Sequence, residues 1–142
     1  MKFLIVLSAL VAIAAAGQVK FHDCGKGEVS SVAVDGCSGD SCVIYKSKPV
    51  HVLAEFTANQ DTAKAEMQVT GTLNGLEVPI PGVETDGCKF VKCPLKKGTK
   101  YTFDYTFHIP SVVPTIKSTL TLKSTGEHGP LACGSVSGEL KP

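Results

Sequence analysis

The chain has 142 residues, with 13 acidic residues, 14 basic ones that are all lysine, and no arginine. Past Lys2 the two signs balance, which excludes nucleic-acid binding, since that relies on excess basic charge with arginine as the usual base reader. A near-neutral surface also excludes electrostatic steering toward a highly charged partner.

Lys2 and the apolar run Phe3 to Ala16, broken by Ser8 and closed by Ala14-Ala15-Ala16, read as a signal peptide over residues 1–16, cleaved near Gly17. The run is shorter than the roughly 20 residues of a transmembrane helix. Residues 17–142 are therefore expected to form one soluble, exported domain.

Six cysteines follow: Cys24, Cys37, Cys42, Cys88, Cys93 and Cys133. An even count behind a signal peptide reads as three disulfides, for which about fifteen pairings are formally available. Cys37/Cys42 and Cys88/Cys93 are each close enough for a tight loop, and Cys24 and Cys133 then pair by elimination. The exported context argues for oxidised pairs and against a zinc site.

Between the cysteines the sequence alternates with period two, the mark of half-buried strands. Val50, Val52, Ala54 and Phe56 share one face, opposite His51, Glu55 and Thr57. Met67, Val69 and Leu73 continue the pattern, and Asn74-Gly75 is a two-residue hairpin cue. Asp35-Gly36, Pro81-Gly82, Asp86-Gly87 and Lys97-Gly98 mark further turns. Tyr101, Phe103, Tyr105 and Phe107 alternate with Thr102, Asp104 and Thr106. Pro110 and Pro114 bracket a loop, and Ile116, Leu120 and Leu122 suggest a further strand rich in threonine. Helical periodicity is absent after the leader. The expected fold is all-β: an Ig-like sandwich of two antiparallel sheets without the Cys–Trp–Cys core of antibody domains, because the chain lacks tryptophan.

Catalytic patterns are missing. His22, His51, His108 and His128 are scattered and form no zinc-hydrolase motif. Gly39-Asp40-Ser41 is followed by Cys42 where a protease loop needs glycine. Gly134-Ser135-Val136-Ser137-Gly138 displaces its serine by one from a nucleophile elbow. Glu84 and Asp86 sit in a turn-rich segment. The reading is a protein that is not an enzyme and uses neither cofactor nor metal. Lys89, Lys92, Lys96, Lys97 and Lys100 cluster around the second cysteine loop. They form a solvated rim or a patch for an anionic lipid headgroup or membrane surface.

Several segments carry a resemblance across the whole domain. They are Asp23-Cys24-Gly25, Asp35-Gly36-Cys37, Cys42-Val43-Ile44, Phe56-Thr57-Ala58-Asn59-Gln60 and Gly75-Leu76-Glu77-Val78-Pro79-Ile80-Pro81-Gly82. Asp86-Gly87-Cys88-Lys89, Cys93-Pro94-Leu95-Lys96-Lys97-Gly98 and Gly129-Pro130-Leu131-Ala132-Cys133 complete the set. The chain resembles the lipid-recognition (ML) domain family, which includes the Niemann–Pick type C sterol carriers, and within it the mite group 2 allergens. The resemblance implies two splayed sheets with an apolar cavity between them. It also implies the pairing Cys24–Cys133, Cys37–Cys42 and Cys88–Cys93.

The implied ligands are a sterol, a fatty acid or a similar lipid, and the implied partners of an allergen include host antibodies. The inward strand phases nominate the wall: Val50, Val52, Phe56, Met67, Val69, Leu73, Val78, Ile80, Phe103, Tyr105, Phe107, Val112, Val113, Leu120 and Leu122. Val78 and Val113 stand where the sterol carriers place aromatics, which implies broader ligand tolerance. Tyr45, Tyr101 and Tyr105 are three candidate hydroxyls for an oxygen-bearing head. The chain has no N-x-S/T, so a glycan-dependent lysosomal address is absent and secretion is expected. The competing reading is an Ig-like protein-binding module with a filled core, which alternation alone does not separate from an open sandwich.

Overall fold

The computed structural model describes residues 19–39 and 41–142; the leader read over residues 1–16 lies outside them. Alternation of β-branched and aromatic residues with polar ones builds β1 (His22–Asp23), β2 (Val29–Val34), β3 (Cys37–Ser38), β4 (Ser41–Tyr45) and β5 (Val50–Thr57). β6 (Glu66–Leu73), β7 (Leu76–Pro79), β8 (Lys100–Phe107), β9 (Lys117–Gly126) and β10 (Gly129–Lys141) follow. A 3-10 turn spans Gly87–Lys89.

The strands divide into two sheets. The larger has seven strands in the order β3-β4-β10-β9-β6-β7, with β1 also paired to β10; the smaller is β2-β5-β8. The sandwich expected from the sequence is present, with one refinement: β4 runs parallel to β10, while the other pairings are antiparallel. The strand expected around Ile116, Leu120 and Leu122 is β9, which begins at Lys117 rather than Ile116 and extends to Gly126.

Local chemistry sets the register. β6 and β7 join through Asn74-Gly75, both at positive φ, 52° and 79°, the geometry of a type I′ hairpin turn. In β2 the register slips between Val29 and Ser31, so Val29, Val32 and Val34 all oppose inward residues of β5 (Phe56, Ala54 and Val52). Without that bulge the odd and even valines would face opposite ways. The β9–β10 hairpin is tied from outside by Gln60, which is buried at 8% exposure. Its Oε1 accepts the His128 N–H at 2.8 Å, and its Nε2 donates to the Gly129 carbonyl at 3.1 Å. A Cβ at Gly126 would stand 2.5 Å from that Oε1, so the close approach requires glycine.

All six cysteines are paired as expected: Cys24–Cys133, Cys37–Cys42 and Cys88–Cys93. The first ties the residue after β1 to β10, and the second joins β3 to β4. Both lie within the larger sheet, and the third closes a local loop. None of the three bridges joins one sheet to the other.

Candidate functional site

The inner faces of the two sheets enclose a cavity of about 100 Å³. The smaller sheet supplies Val29, Val32 and Val34 from β2, Val50, Val52, Ala54 and Phe56 from β5, and Phe103 and Phe107 from β8. The larger sheet supplies Ile44, Val69, Leu120 and Leu122, with Ala132, Gly134 and Val136 of β10. Ala65, Gly87 and Val91 complete the apolar lining. No charged residue lines the wall, and its only hydroxyl-bearing residues are Thr121 and Ser124.

A second apolar hollow of about 140 Å³ opens at the end of the sandwich that carries the Asn74-Gly75 turn. Leu73, Val78, Ile80, Val112, Val113 and Leu140 line it, and Leu120 belongs to both hollows. The rim is exposed: Val112, in the loop between β8 and β9, is 78% accessible. The rim loop is held by Lys46, whose Nζ donates to the Val113 carbonyl at 2.7 Å.

The nominated residues therefore fall in three places. Val50, Val52, Phe56, Val69, Phe103, Phe107, Leu120 and Leu122 line the central cavity. Leu73, Val78, Ile80, Val112 and Val113 line the outer hollow, with Leu73, Val78 and Val112 reaching solvent. Met67 and Tyr105 line neither hollow and are packed in the core at 2% and 1% exposure. The sequence reading passed over the wall residues of β2, β4 and β10. A signal for them existed in the alternations Val32/Val34 and Ala132/Gly134/Val136, weakened by small residues.

The three tyrosines differ. Tyr45 is 42% exposed, with Lys48 Nζ 5.2 Å from its ring centroid. Tyr101 Oη accepts the Lys96 N–H at 2.8 Å. The buried Tyr105 Oη has no hydrogen-bond partner. Burial, assisted by the nearby Glu84 carboxylate and opposed by the Glu84 backbone beside the hydroxyl, pushes its phenol up to about 12.

Elsewhere polar groups are in solvated pairs. His51 Nε2 and Asp104 Oδ1 lie 2.6 Å apart on the outer face of the smaller sheet, both exposed. Lys89 pairs with Glu84 at 2.7 Å; this hydrogen bond lowers the glutamate's pKa and raises the lysine's. Among the described residues no group of three or more His, Cys, Asp or Glu is placed to hold a metal ion. No helix among them is long and apolar enough to cross a membrane.

A sandwich of this topology, cross-linked first to last and hollow along its midline, has counterparts of known family. The sequence profile of the ML domain matches residues 18–140. Mite group 2 allergen Tyr p 2 of Tyrophagus putrescentiae is 73% identical over the full length of both chains. Mite group 2 allergen Der p 2 of Dermatophagoides pteronyssinus is 39% identical, covering 92% of this chain and 90% of its own. Among solved structures, a Niemann–Pick type C2 protein from the Japanese carpenter ant superposes with a TM-score of 0.77. It has 26% identity and covers 86% of this chain and 99% of its own. Chicken MD-1, solved with lipid IVa, shares the fold at a TM-score of 0.54 and 17% identity, covering 82% of this chain and 85% of its own. The chain belongs to the ML domain family and, within it, to the mite group 2 allergens. That family is not one of enzymes.

Proposed function

We propose that this protein is a secreted carrier that holds a lipid, such as a sterol or a fatty acid, between its two sheets. The observation that carries the reading is a continuous, uncharged apolar wall around an interior void that meets an exposed apolar mouth at Leu120. Solid sandwiches close such space, because interiors pack to near-crystalline density. The family supports the same reading, since relatives in its fold include a Niemann–Pick type C2 protein and an MD-1 solved with lipid IVa.

At about 100 Å³ the void is smaller than the roughly 300–1,000 Å³ typical of ligand pockets. Loading therefore widens it. No disulfide between the sheets opposes that separation. Burial of about ten methylenes contributes roughly 8 kcal/mol gross, so affinity needs no charged anchor. The mouth formed by Leu73, Val78, Val112 and Val113 is the entrance in this account.

The lysines of the Cys88–Cys93 region are the proposed contact for an anionic headgroup or membrane surface. With Lys89 engaged by Glu84, that role falls mainly to Lys92, Lys96, Lys97 and Lys100. The leader and three disulfides support secretion, and group 2 allergen kinship supports recognition by host antibodies.

Displacement of a fluorescent fatty acid tests the carrier. Wild-type protein should bind the probe, and Phe107→Asp or Val113→Asp should abolish uptake while all three disulfides remain by mass. Equal uptake by both variants would overturn the placement. No uptake by the wild type would favour a filled, protein-binding module.

A further inference from the structure

We infer that Lys46 is a latch: its ammonium pins the segment that borders the mouth of the sandwich, and this bond opens each time a lipid enters or leaves. The inference rests on the carrier reading above and adds to it a positioning residue that sets how fast a guest exchanges.

The chain crosses from the smaller sheet to the larger through residues 108–116, between the end of β8 and the start of β9. Val112, Val113, Pro114 and Ile116 of this strap line the outer hollow together with Leu73 and Val78 of the β6–β7 hairpin. Leu120 joins that hollow to the central cavity, so the strap borders the proposed route inward.

The strap is sparsely tied by its own backbone. Among the described residues its main-chain hydrogen bonds are an internal turn, from the Val113 N–H to the Pro110 carbonyl at 3.0 Å, and one at its far end, from the Leu140 N–H to the Ile116 carbonyl at 2.9 Å. Pro110 and Pro114 have no N–H to add. The centre of the strap is held instead by Lys46 Nζ, which donates to the Val113 carbonyl at 2.7 Å and to the Ser111 carbonyl at 3.4 Å. Lys46 is itself firmly placed. It follows β4 directly, and its own N–H donates to the Lys141 carbonyl of β10 at 2.8 Å. Both strands belong to the larger sheet, whereas the strap begins at the end of β8 in the smaller one. Widening the gap between the sheets therefore pulls on this bond.

The chemistry suits a contact that opens and recloses. Among the described residues no carboxylate pairs with Lys46, so its charge rests on neutral carbonyls. Such a charge-assisted hydrogen bond is stronger than a neutral one, yet no buried counter-ion is left behind when it breaks. The side chain is half-buried, and its flexible stem lets the released ammonium turn to water. A latch that acts alike on the empty and the loaded protein changes rates and not affinity.

Stopped-flow fluorescence with cis-parinaric acid tests this, with release measured by a chase of excess oleic acid. Lys46→Met keeps the apolar stem and removes the donors. Association and release should both quicken about tenfold, the effect of one hydrogen bond from a charged group, while equilibrium affinity stays within about twofold. Lys46→Gln, with a shorter neutral donor, should be accelerated as well and carries the test if the methionine variant fails to fold. Lys46→Arg, which keeps a charged donor, should show wild-type rates. Lys48→Met, which removes a charge bonded to no strap carbonyl, should leave them unchanged. Wild-type rates in both Lys46→Met and Lys46→Gln overturn the latch. Faster release with unchanged association also overturns it, since Lys46 would then hold the guest and not the strap. Equal acceleration by Lys48→Met overturns it too, because charge at the mouth would be the cause. Each of these results leaves the carrier standing, whereas no uptake of the probe by the wild type overturns the carrier reading together with the latch.

Discussion

Side chains at the interior and at the surface of this protein obey different electrostatic rules. Inside, the wall is hydrocarbon apart from two hydroxyl-bearing residues. Outside, carboxylates are held ionised by specific donors. Glu127 accepts the Ala63 N–H at 2.7 Å, the largest cause of its lowered pKa, with further help from Thr62 and nearby positive charge. A carboxylate whose folded pKa lies below its ordinary 4.5 stabilises the fold above that pH and loses the contribution as the pH falls further. Glu77 and Glu84 act in the same sense through Lys123 and Lys89. Acid unfolding followed by circular dichroism should therefore begin below about pH 4.5, and Glu127→Gln should flatten the stability profile there. An identical profile in the variant would contradict the assignment. Much of the residue-scale pattern was legible, since inward phases on β5 and β8 placed Phe56, Phe103 and Phe107 at the wall. Tyr105, nominated for the same wall, packs in the core instead and lines neither hollow.

Elements were readable in proportion to how much their own residues favour them. β5 and β8 alternate strictly and are rich in valine and aromatics, and Asn74-Gly75 specified the β6–β7 hairpin. β10, the longest strand, was not anticipated. Gly134, Ser135, Ser137 and Gly138 favour strand weakly, and the element is maintained by its neighbours β9, β4 and β1. The β2 bulge was hidden for a different reason: a one-residue slip reads in sequence as a break in alternation, although in space it keeps three valines on one side. At the hairpin, Gly75 has φ of 79°, a region a β-branched residue enters only under strain. Gly75→Val should cost about 1–2 kcal/mol in urea unfolding. A midpoint equal to wild type would show that the turn relaxes without loss.

The molecule as a whole is cross-linked so that the larger sheet is reinforced and no bridge spans the seam between the two sheets. Cys24–Cys133 closes a span of 109 residues, whereas each of the other bridges closes a span of 5. In the loop-entropy picture the long bridge contributes about 4.7 kcal/mol and each short one roughly 2. Cys24→Ser combined with Cys133→Ser should therefore lower unfolding stability by about 3–5 kcal/mol, clearly more than the Cys37→Ser, Cys42→Ser pair. The reverse order would contradict this account. The two-layer architecture and the pairing of the cysteines were visible in the sequence. The size of the void was not, since alternation specifies which side chains face inward but not how far apart the facing layers stand.

Mass spectrometry of the protein purified from its natural source, under native and then denaturing conditions, bears most directly on the guest-holding interior. The expected result is a non-covalent mass increment that disappears on denaturation and is recovered in organic solvent as a lipid. A protein of bare polypeptide mass under native conditions, which stays so after incubation with sterol or fatty acid, would contradict the account.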